Sequence, residues 1–404
     1  MKILCVLGRH AYGDAARGEG YEHANFLPTL AALGHETHVF DSLDRTAYRD
    51  FAELNKALLS RVEALRPDAI LCVLMHYEIW LESLDMVRAR CPAPIINWGT
   101  DDSWKYEQFA RFVAPHVDLY VTTSKAAFEQ ASREGLENVV LSQWGADGEG
   151  LAEPLPARVC RYPVSFVGAA YGNRRKWIGA LAARGVKVHC FGQGWPNGPV
   201  STVDVRRIAR DSVVSLNFGD SGVHWRGLVP YRSRQIKARI FEVPGSGGFL
   251  MTEPAEALAD YFRIGEEIEV FGSPDEAAAK IQRYLANPEL RDRVAGAGHE
   301  RTRREHTYAQ RFSLLLDEAV RRAGARGPAA CVASPSADQA EHCAIPWWMR
   351  LLRAFLVVPS TALFGSRRGP RAARRVVFEL SWRVAGPHTY SARGWPGRLF
   401  YRES

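Results

Sequence analysis

The acid Glu242 lies between a basic stretch that begins at Lys237 and a glycine-rich break at 245–248, which leads into an apolar strand. A helix that ends in glycines and feeds a buried strand is typical of an α/β crossover. The start of such a helix can hold a phosphate on free backbone N–H groups, and an acid further along can accept hydrogen bonds from a ribose. The segment 237–253 therefore predicts a nucleotide site.

The order of residues around this segment resembles that of a known enzyme family. Arg239, Phe241 and Glu242 are followed by the glycines, by a strand that ends in Thr-Glu, by YFRIGEEIEVF and by a pair of helices that closes on REHTYAQR. This order is similar to that of the CgeB-like branch of retaining GT-B glycosyltransferases. The resemblance is dense over 164–316 and looser over the N-terminal half, and it does not cover the last sixty or so residues.

The resemblance implies an α/β protein of the GT-B class, with two Rossmann-like, doubly wound lobes facing across a cleft. It also implies that Glu242 holds the ribose of a nucleotide-sugar donor, and that neither a metal ion nor a separate cofactor takes part. The wider group carries a second glutamate two helical turns earlier, aimed at the donor sugar. Arg234 stands there instead, so the resemblance leaves the identity of the donor sugar open.

A cationic cluster follows the first strand expected in the second half of the chain. Arg174, Arg175 and Lys176 come soon after Gly168, where that strand ends. Such cations at a strand-to-helix junction can clamp a diphosphate and neutralise the charge that leaves with the nucleotide. The alternative is a solvated basic helix face. Because an acid suited to ribose occurs in the same half, we expect Arg174 to be the clamp.

Five further residues of this half are candidates for nucleotide contact. Gly192 and Trp195 follow a strand and could offer backbone hydrogen bonds and a stacking ring to a base, although an ordinary turn gives the same pattern. Ser233 could cap the next helix, with free N–H groups directed at the diphosphate. Lys237 and Arg239 are either phosphate contacts or ordinary helix surface. We expect Lys237 to share the diphosphate charge.

In the first half of the chain, Asp101 and Asp102 come just past a strand, in the sequence IINWGTDDSWKY. Vicinal carboxylates at the end of a strand could hold sugar hydroxyls or orient an acceptor, and a helix cap is the alternative. Two adjacent acids without a third ligand do not predict a metal site. His10 and His76 also follow strand ends, where a lone histidine is more often structural.

Strands alternate with helices in both halves, which predicts a parallel sheet in each, with ligands at the carboxyl ends of the strands. We expect strands over 2–7, 35–40, 69–75, 94–98, 119–122, 139–141, 164–168, 186–191, 212–217 and 249–251. We expect helices over 21–33, 51–65, 79–90, 103–112, 125–134, 174–184, 235–243, 308–322 and, as a pair, 274–304. We predict an acceptor lobe over 1–155 and a nucleotide-sugar lobe over 156–323, with a helix that returns to the first lobe. A linker over 324–343 and a tail over 344–404 follow.

The positive charge of the chain is concentrated at one end. The tail holds eleven arginines, no lysine and two glutamates, so it carries +9, whereas the rest of the chain carries −2 of the net +7. A nearly neutral body argues against nucleic acid as a partner. Tryptophan, arginine and aliphatic residues together in the tail favour an anionic membrane surface. A third helical layer packed on the lobes is the alternative, and both can hold.

These features predict a cytoplasmic enzyme that is peripheral on the inner face of the membrane. Its seven cysteines fit no disulfide or zinc pattern, and the start of the chain lacks the features of a signal peptide. We expect sugar transfer, with retention, from a nucleotide-diphosphate sugar to a glycan or lipid-linked acceptor in bacterial surface polysaccharide assembly. A nucleotide-sugar epimerase of the same fold and a non-catalytic membrane adaptor are the alternatives.

Overall fold

The computed structural model describes residues 1–226, 229–326 and 346–403, with side chains for all of these except 221, 223–226 and 233. The chain forms two units. Unit 1 comprises 1–122, 126–141 and 315–404, and unit 2 comprises 123–125 and 142–314. Most of the expected linker, 324–343, lies outside the described residues.

Unit 1 is built on a six-stranded parallel sheet in the order β2-β1-β3-β4-β5-β6. Its strands are β1 Lys2–Leu7, β2 Glu36–Asp41, β3 Ala69–Cys72, β4 Ile95–Gly99, β5 Leu119–Thr122 and β6 Val139–Leu141. Near-continuous apolar runs such as ILCVL form the central strands, as expected where helices cover both faces of a parallel sheet. The strand expected over 69–75 ends earlier, at Cys72, because the chain then turns away to reach the next helix.

The helices of this sheet are α1 Tyr21–Ala32, α2 Phe51–Leu65, α3 Leu81–Arg90, α4 Asp102–Lys105, α5 Arg111–Val113 and α6 Lys125–Arg133, with a π-helical turn at Tyr106–Ala110. Helix α2 shows why they begin and end where they do. The side chain of Asp50 accepts a hydrogen bond from the N–H of Glu53 at 3.0 Å and so caps the helix start. At the other end Arg66 adopts a left-handed conformation, just before Pro67.

Unit 2 contains a second parallel sheet, in the order β13-β12-β9-β7-β8, and a separate antiparallel pair. The sheet strands are β7 Tyr162–Val167, β8 His189–Phe191, β9 Ser212–Asn217, β12 Leu250–Thr252 and β13 Glu269–Val270. The pair consists of β10 Asp220–Arg226 and β11 Val229–Arg234. The helices of unit 2 are α7 Arg174–Ala182, α8 Thr202–Arg210, α9 Arg239–Gly245, α10 Pro274–Ala286, α11 Pro288–Glu305 and α12 Tyr308–Gly324. The last of these continues into unit 1.

The antiparallel pair corrects one sequence expectation. The helix predicted over 235–243 begins only at Arg239. The chain is extended up to Arg234, where β11 ends, and the backbone N–H of Gln235 then bonds to the carbonyl of Gly219 at 3.2 Å. Ser233 lies on β11, ahead of the residue at which this helix is capped. Ala238 occupies the cap position. The expected helix cap at Ser233 is therefore wrong, whereas contact between this segment and a diphosphate stays a prediction.

The C-terminal segment forms a long helical element, α13 (Trp347–Ala385), and a short helix, α14 (Trp395–Leu399). Gly365 interrupts α13 with φ of 80°, which a glycine adopts readily. A Cβ on Gly369 would meet the backbone of Thr361 at 2.4 Å, so the two halves of α13 approach closely beyond the break. Buried Met349 in the first half shares a cluster with Val377 in the second. The element is therefore a helical hairpin.

This segment packs on unit 1 as a structural layer. Phe378, Tyr390 and Tyr401 belong to the same buried cluster as the residues between the sheet and α2. The ring of Tyr401 lies 4.8 Å from that of Phe51, edge to face. The layer anticipated as an alternative is thus present. No helix among the described residues combines the length and apolar content that crossing a bilayer requires.

Candidate functional site

Arg174 is held at the carboxyl end of β7, where α7 begins. Its side chain is buried, and Nη1 donates to the carbonyl of Ala169 at 2.8 Å. Nη2 donates to the hydroxyl of Tyr171 at 3.1 Å, and the guanidinium lies 4.0 Å from the centre of that ring. Nε is buried without a hydrogen-bond partner among the described residues. The cation is thus fixed in position by two of its five N–H groups.

Charged groups from three other segments surround this guanidinium. Burial lowers the pKa of Arg174, and nearby Arg239 lowers it further, whereas Tyr171, Glu253 and Asp220 raise it. Asp220 follows β9 and Glu253 follows β12, the neighbouring strand of the sheet. The carboxyl ends of β7, β9 and β12 therefore bring these side chains together, as expected for a ligand site in a doubly wound sheet.

Glu242 lies in the first turn of α9 and is buried. Its carboxylate accepts a short hydrogen bond from Nη1 of Arg239, one turn earlier in the same helix. Lys237 lies in the loop just before this helix and is half-buried. The helix orients Glu242 and Arg239 toward each other, so Arg239 is a partner of the predicted ribose acid rather than plain helix surface.

Gly192 and Trp195 contact the same end of β7. Gly192 has φ of 121°, and a Cβ there would lie 2.5 Å from the carbonyl oxygen of Gly168, so only glycine fits. Nε1 of Trp195 donates to that carbonyl at 2.8 Å. The guanidinium of Arg175 lies 5.2 Å from the centre of the Trp195 ring. The indole is therefore pinned beside the strand end, with its N–H already used.

The sequence analysis did not assign roles to Asp220 and Glu253. Both are buried, and Glu253 accepts a hydrogen bond from the N–H of Asp220 at 3.3 Å. Burial raises the pKa of Glu253, while Arg234 opposes that shift. Arg232 donates to the carboxylate of Asp220 at 2.5 Å. The available signal was an acid directly after a short apolar strand, LMT, a position where burial is expected.

In unit 1, Asp101 and Asp102 have different surroundings. Asp102 begins α4 and is buried, and its Oδ1 accepts a hydrogen bond from the hydroxyl of Tyr120 at 3.1 Å. Burial raises the pKa of Asp102 to about 6, against the effect of hydrogen bonds from Thr122 and Tyr120. Asp101 is half-buried, with Nζ of Lys105 at 3.8 Å, and its side chain does not cap α4.

Glu22, in the first turn of α1, was not anticipated as part of this group. Burial raises the pKa of Glu22 to about 7, and the carboxylate of Asp101 adds to the shift. The carboxyl groups of Glu22 and Asp101 are therefore close enough to interact. The available signal was its position just after Gly18 and Gly20, and an acid in the first turn of a helix is ordinary.

His76, which follows a strand, and His306, in the segment REHTYAQR, are held by contacts with neighbouring residues. The ring of His76 lies 5.9 Å from that of Phe378, and burial lowers the pKa of His76 well below its usual value. His306 bonds to the carbonyl of Tyr261 at 3.0 Å, and burial lowers its pKa to about 4. In the described part of the chain, no group of three or more His, Cys, Asp or Glu is placed to hold a metal ion.

Comparison with known proteins gives a family match within the second half of the chain and a similar fold for most of the chain. Residues 174–317 match the family model described as "Glycosyl transferase-like". Among proteins of curated function, none matches the sequence significantly. Sucrose-phosphate synthase from Thermosynechococcus elongatus has a similar structure, with a TM-score of 0.55 and 13% identity over 79% of this chain and 99% of that one.

A second similar structure is HepE from Anabaena in complex with UDP-glucose, with a TM-score of 0.54 and 13% identity over 80% of this chain and 99% of that one. HepE in complex with UDP and glucose gives a TM-score of 0.53 and 13% identity, covering 78% and 99% of the two chains. At this identity the likeness shows the fold, which confirms the expected α/β class. The chain is therefore a protein of the GT-B glycosyltransferase fold whose residues 174–317 match the glycosyl transferase-like family.

Proposed function

We propose that this protein transfers a sugar, with retention, from a nucleotide-diphosphate sugar to a glycan or lipid-linked acceptor. The proposal places it in the assembly of a bacterial surface polysaccharide, at the inner face of the cytoplasmic membrane. The observation that carries it is the group formed by Arg174, Arg239 and Glu242 at the carboxyl end of the unit 2 sheet. The family match begins at Arg174 and includes all three residues.

The donor side rests on charge and position. Two guanidinium groups and the ammonium of Lys237 come from segments that meet at or near this end of the sheet. Arginine donates paired N–H groups to phosphate oxygens, so such a group suits a diphosphate. Glu242, held at the start of α9, is suited to accept from ribose hydroxyls. The HepE structures contain UDP and UDP-glucose, which supports beginning the donor search with uridine nucleotides.

The chemistry proposed for these residues is stabilisation of the leaving group. When the bond between sugar and diphosphate breaks, negative charge grows on the diphosphate oxygens. A cation already fixed nearby stabilises that charge without reorganising, which lowers the barrier. Arg174 meets this requirement because protein contacts hold its guanidinium on two sides. In retaining transfer the leaving diphosphate assists attack on the same face, so the protein's task is to position the reactants.

The acceptor side of the proposal rests on unit 1. Asp101 lies at the carboxyl end of a parallel strand, beside Glu22 and Lys105. A carboxylate whose pKa lies near 7 can accept the proton of an acceptor hydroxyl as that oxygen bonds to the sugar, and then pass the proton to the departing diphosphate or to water. Asp102, whose side chain bonds to Tyr120, supports the strand end instead. We therefore assign acceptor contact to Asp101 and, newly, to Glu22.

Membrane association is proposed from the outer face of α13. Trp347, Leu351, Phe355 and Val358, which we name the apolar stripe, follow one another at helical spacing and are 60–77% exposed. Leu363 and Phe364 continue the exposed apolar surface at the hairpin turn, with the exposed Arg367 nearby. Exposed apolar and cationic residues on one helix suit the interface of an anionic bilayer.

The test of the donor site is a thermal-shift screen with UDP, GDP, ADP, CMP and dTDP, followed by their sugar conjugates. With the nucleotide that binds, we expect Glu242→Ala to weaken binding by about 1–3 kcal/mol, the scale of hydrogen bonds to an ionised acceptor. Glu289→Ala is the matched control, because Glu289 is an exposed acid in the same unit, paired only with exposed Arg158 at 3.7 Å. Calorimetry with both folded variants decides the assignment.

Three outcomes would contradict the proposal. Equal nucleotide affinity of Glu242→Ala and wild type would remove the ribose assignment. Interconversion of sugar epimers, with no requirement for an acceptor, would identify an epimerase. Failure of every nucleotide to bind would favour a non-catalytic adaptor. Transfer to an acceptor, with the anomeric configuration of the product determined by NMR, would support both sugar transfer and retention.

The membrane part is tested by co-sedimentation with vesicles. Deleting the whole C-terminal segment would uncover the core of unit 1, so point variants are needed. We expect Phe355→Ser with Val358→Ser to reduce sedimentation with anionic vesicles, and wild-type binding to weaken as salt rises. Val203→Ser, a change at a comparably exposed residue in unit 2, is the control. Wild-type protein that ignores anionic vesicles would contradict membrane association.

A further inference from the structure

A cavity of about 520 Å³ lies within unit 1, between the start of α2 and the C-terminal segment. Part of its wall comes from α2 and the residues before it, and part from α13, α14 and the residues that follow. The residues that define it are Arg49, Phe51, Arg350, Arg353, Arg398 and Arg402. None of the donor-site residues lines it, since these belong to unit 2.

The wall of this cavity is strongly cationic. It contains five arginines and two carboxylates, Asp50 and Glu403. Arg353 donates one hydrogen bond to Glu403 and another, of 2.9 Å, to the carbonyl of Leu399. These bonds hold residues 399–403 against the cavity. Arg49 pairs with Asp50 at 3.1 Å. Both carboxylates are therefore already matched by cations of the protein.

Of the three other arginines, Arg398 is half-buried and two are exposed. Arg350 and Arg402 are exposed at the cavity wall, and neither forms an ion pair within the described residues. They come from opposite parts of the wall, one from α13 and the other from the turn after α14. Guanidinium groups that converge on one space are suited to a phosphate, whose oxygens accept several N–H donors at once.

The cavity also borders the apolar stripe. Arg350 lies between Trp347 and Leu351, two members of the stripe, along α13. The rings of Trp348 and Trp395 are 6.1 Å apart, and Gly394 and Gly397 on either side of Trp395 line the cavity. Exposed tryptophan is typical of the depth at which lipid headgroups lie. A ligand that combines a phosphate with an apolar chain therefore fits this position better than a free anion.

We propose that this cavity binds the phosphate of an anionic membrane lipid, with Arg350 and Arg402 as its principal contacts and the acyl chains along the apolar stripe. The proposal rests on the membrane association proposed above and is independent of sugar transfer. It assigns to the C-terminal segment recognition of a headgroup, beyond general attraction to a charged surface.

The test uses full-length protein and a short-chain lipid, dihexanoyl phosphatidate, below its micelle concentration. Dihexanoyl phosphatidylcholine and inorganic phosphate are the comparison ligands. We expect the phosphatidate to bind more tightly than either. Arg350→Glu with Arg402→Glu should weaken phosphatidate binding by at least about tenfold, since two charge-assisted contacts become repulsive. Arg371→Glu with Arg375→Glu is the matched control, because these exposed arginines lie on α13 outside the cavity wall.

The outcomes separate this proposal from the one on which it rests. Equal weakening by both double variants would overturn the cavity site, because only the overall charge would matter. Inorganic phosphate that binds as tightly as the phosphatidate, or an acidic peptide that displaces it, would also overturn the lipid assignment. If the cavity variant keeps phosphatidate affinity while wild type sediments with vesicles, membrane association stands and the cavity site falls. If wild type binds phosphatidate but does not sediment, the cavity site stands and stable membrane association falls.

Discussion

Nη2 of Arg234 lies 3.7 Å from Oε1 of Glu253, the buried acid that follows β12. Arg234 stands where the resemblance noted in the sequence leads us to expect a glutamate aimed at the donor sugar. Here a cation stands at that position in sequence, and the nearby acid comes from a different strand. The carboxylate that pairs with Arg234 thus comes from the end of a sheet strand and not from the segment before α9.

We expect Arg234→Glu to reduce both stability and activity. The new carboxylate would face Glu253, whose pKa burial already raises, and the loss should be about 1 kcal/mol because Arg234 is partly exposed. Urea unfolding and a transfer assay would measure the two effects. Arg293→Glu, an exposed change on α11, should alter neither. A gain of transfer activity would show that a glutamate can still serve at position 234.

Arg174→Ala should lower turnover more than it lowers donor affinity. The reason is that diphosphate charge grows toward the transition state, where a fixed cation has its largest effect. Arg174→Lys should recover little, because an ammonium cannot reproduce both hydrogen bonds and the contact with the Tyr171 ring. Steady-state kinetics separate the two effects, with exposed Lys176→Ala as control. A rise in donor KM alone would make Arg174 a binding residue only.

Asp102 should make unit 1 less stable as the pH rises from about 4 to about 6. Its pKa is about 6 in the folded protein and 3.8, the usual value for an aspartate, in the unfolded chain. The folded protein therefore binds the proton more tightly over that pH range. The stabilisation is complete below 3.8 and lost above 6, about 3 kcal/mol in all. Asp102→Asn should flatten this dependence in urea titrations at several pH values. Exposed Glu137→Gln should leave it unchanged, and a wild-type curve without the slope would contradict the assignment.

Phe378→Ala should destabilise unit 1 by about 3–5 kcal/mol, as expected when a large aromatic is removed from a core. Phe378 is 9% exposed and its ring lies 5.8 Å from that of Tyr77. Leu380, two residues further on the same helix, is 60% exposed, so Leu380→Ala should change the unfolding free energy by less than about 0.5 kcal/mol. Similar values for the two variants would mean that the C-terminal segment is not part of the core.

Local pattern was enough to predict the regular parts of both sheets. Apolar runs and the glycines between them predicted all six strands of unit 1 and most of those in unit 2. The reason is that each of these strands is apolar along its length and therefore recognisable as a buried strand. The hairpin of β10 and β11 was not predicted. Its strands include Gly222 and Pro230, which are unusual within strands, and among the described residues β10 and β11 form a two-stranded sheet of their own.

The candidate site was predicted in part. Glu242, Arg174, Gly192 and Trp195 follow strand ends or precede a glycine break, positions with a recognisable pattern, and they lie in one unit. Their roles stay predictions until ligands are tested. Pairs of residues that come from different strands of the site leave no pattern in the local sequence. Glu253 meets Arg234 through the order of strands, which depends on how the whole sheet assembles.

The discontinuity of unit 1 has a consequence for protein synthesis. Its sheet is made early by the ribosome, yet Tyr390 and Tyr401, which complete the core beside Phe51, are made only after the whole of unit 2. Domains generally fold as units while the chain emerges. Unit 2, which is continuous apart from 123–125, has what it needs to fold first, and the earlier-made sheet must wait with its apolar face uncovered. We therefore expect the newly made sheet of unit 1 to depend on chaperones until the C-terminal segment has been synthesised.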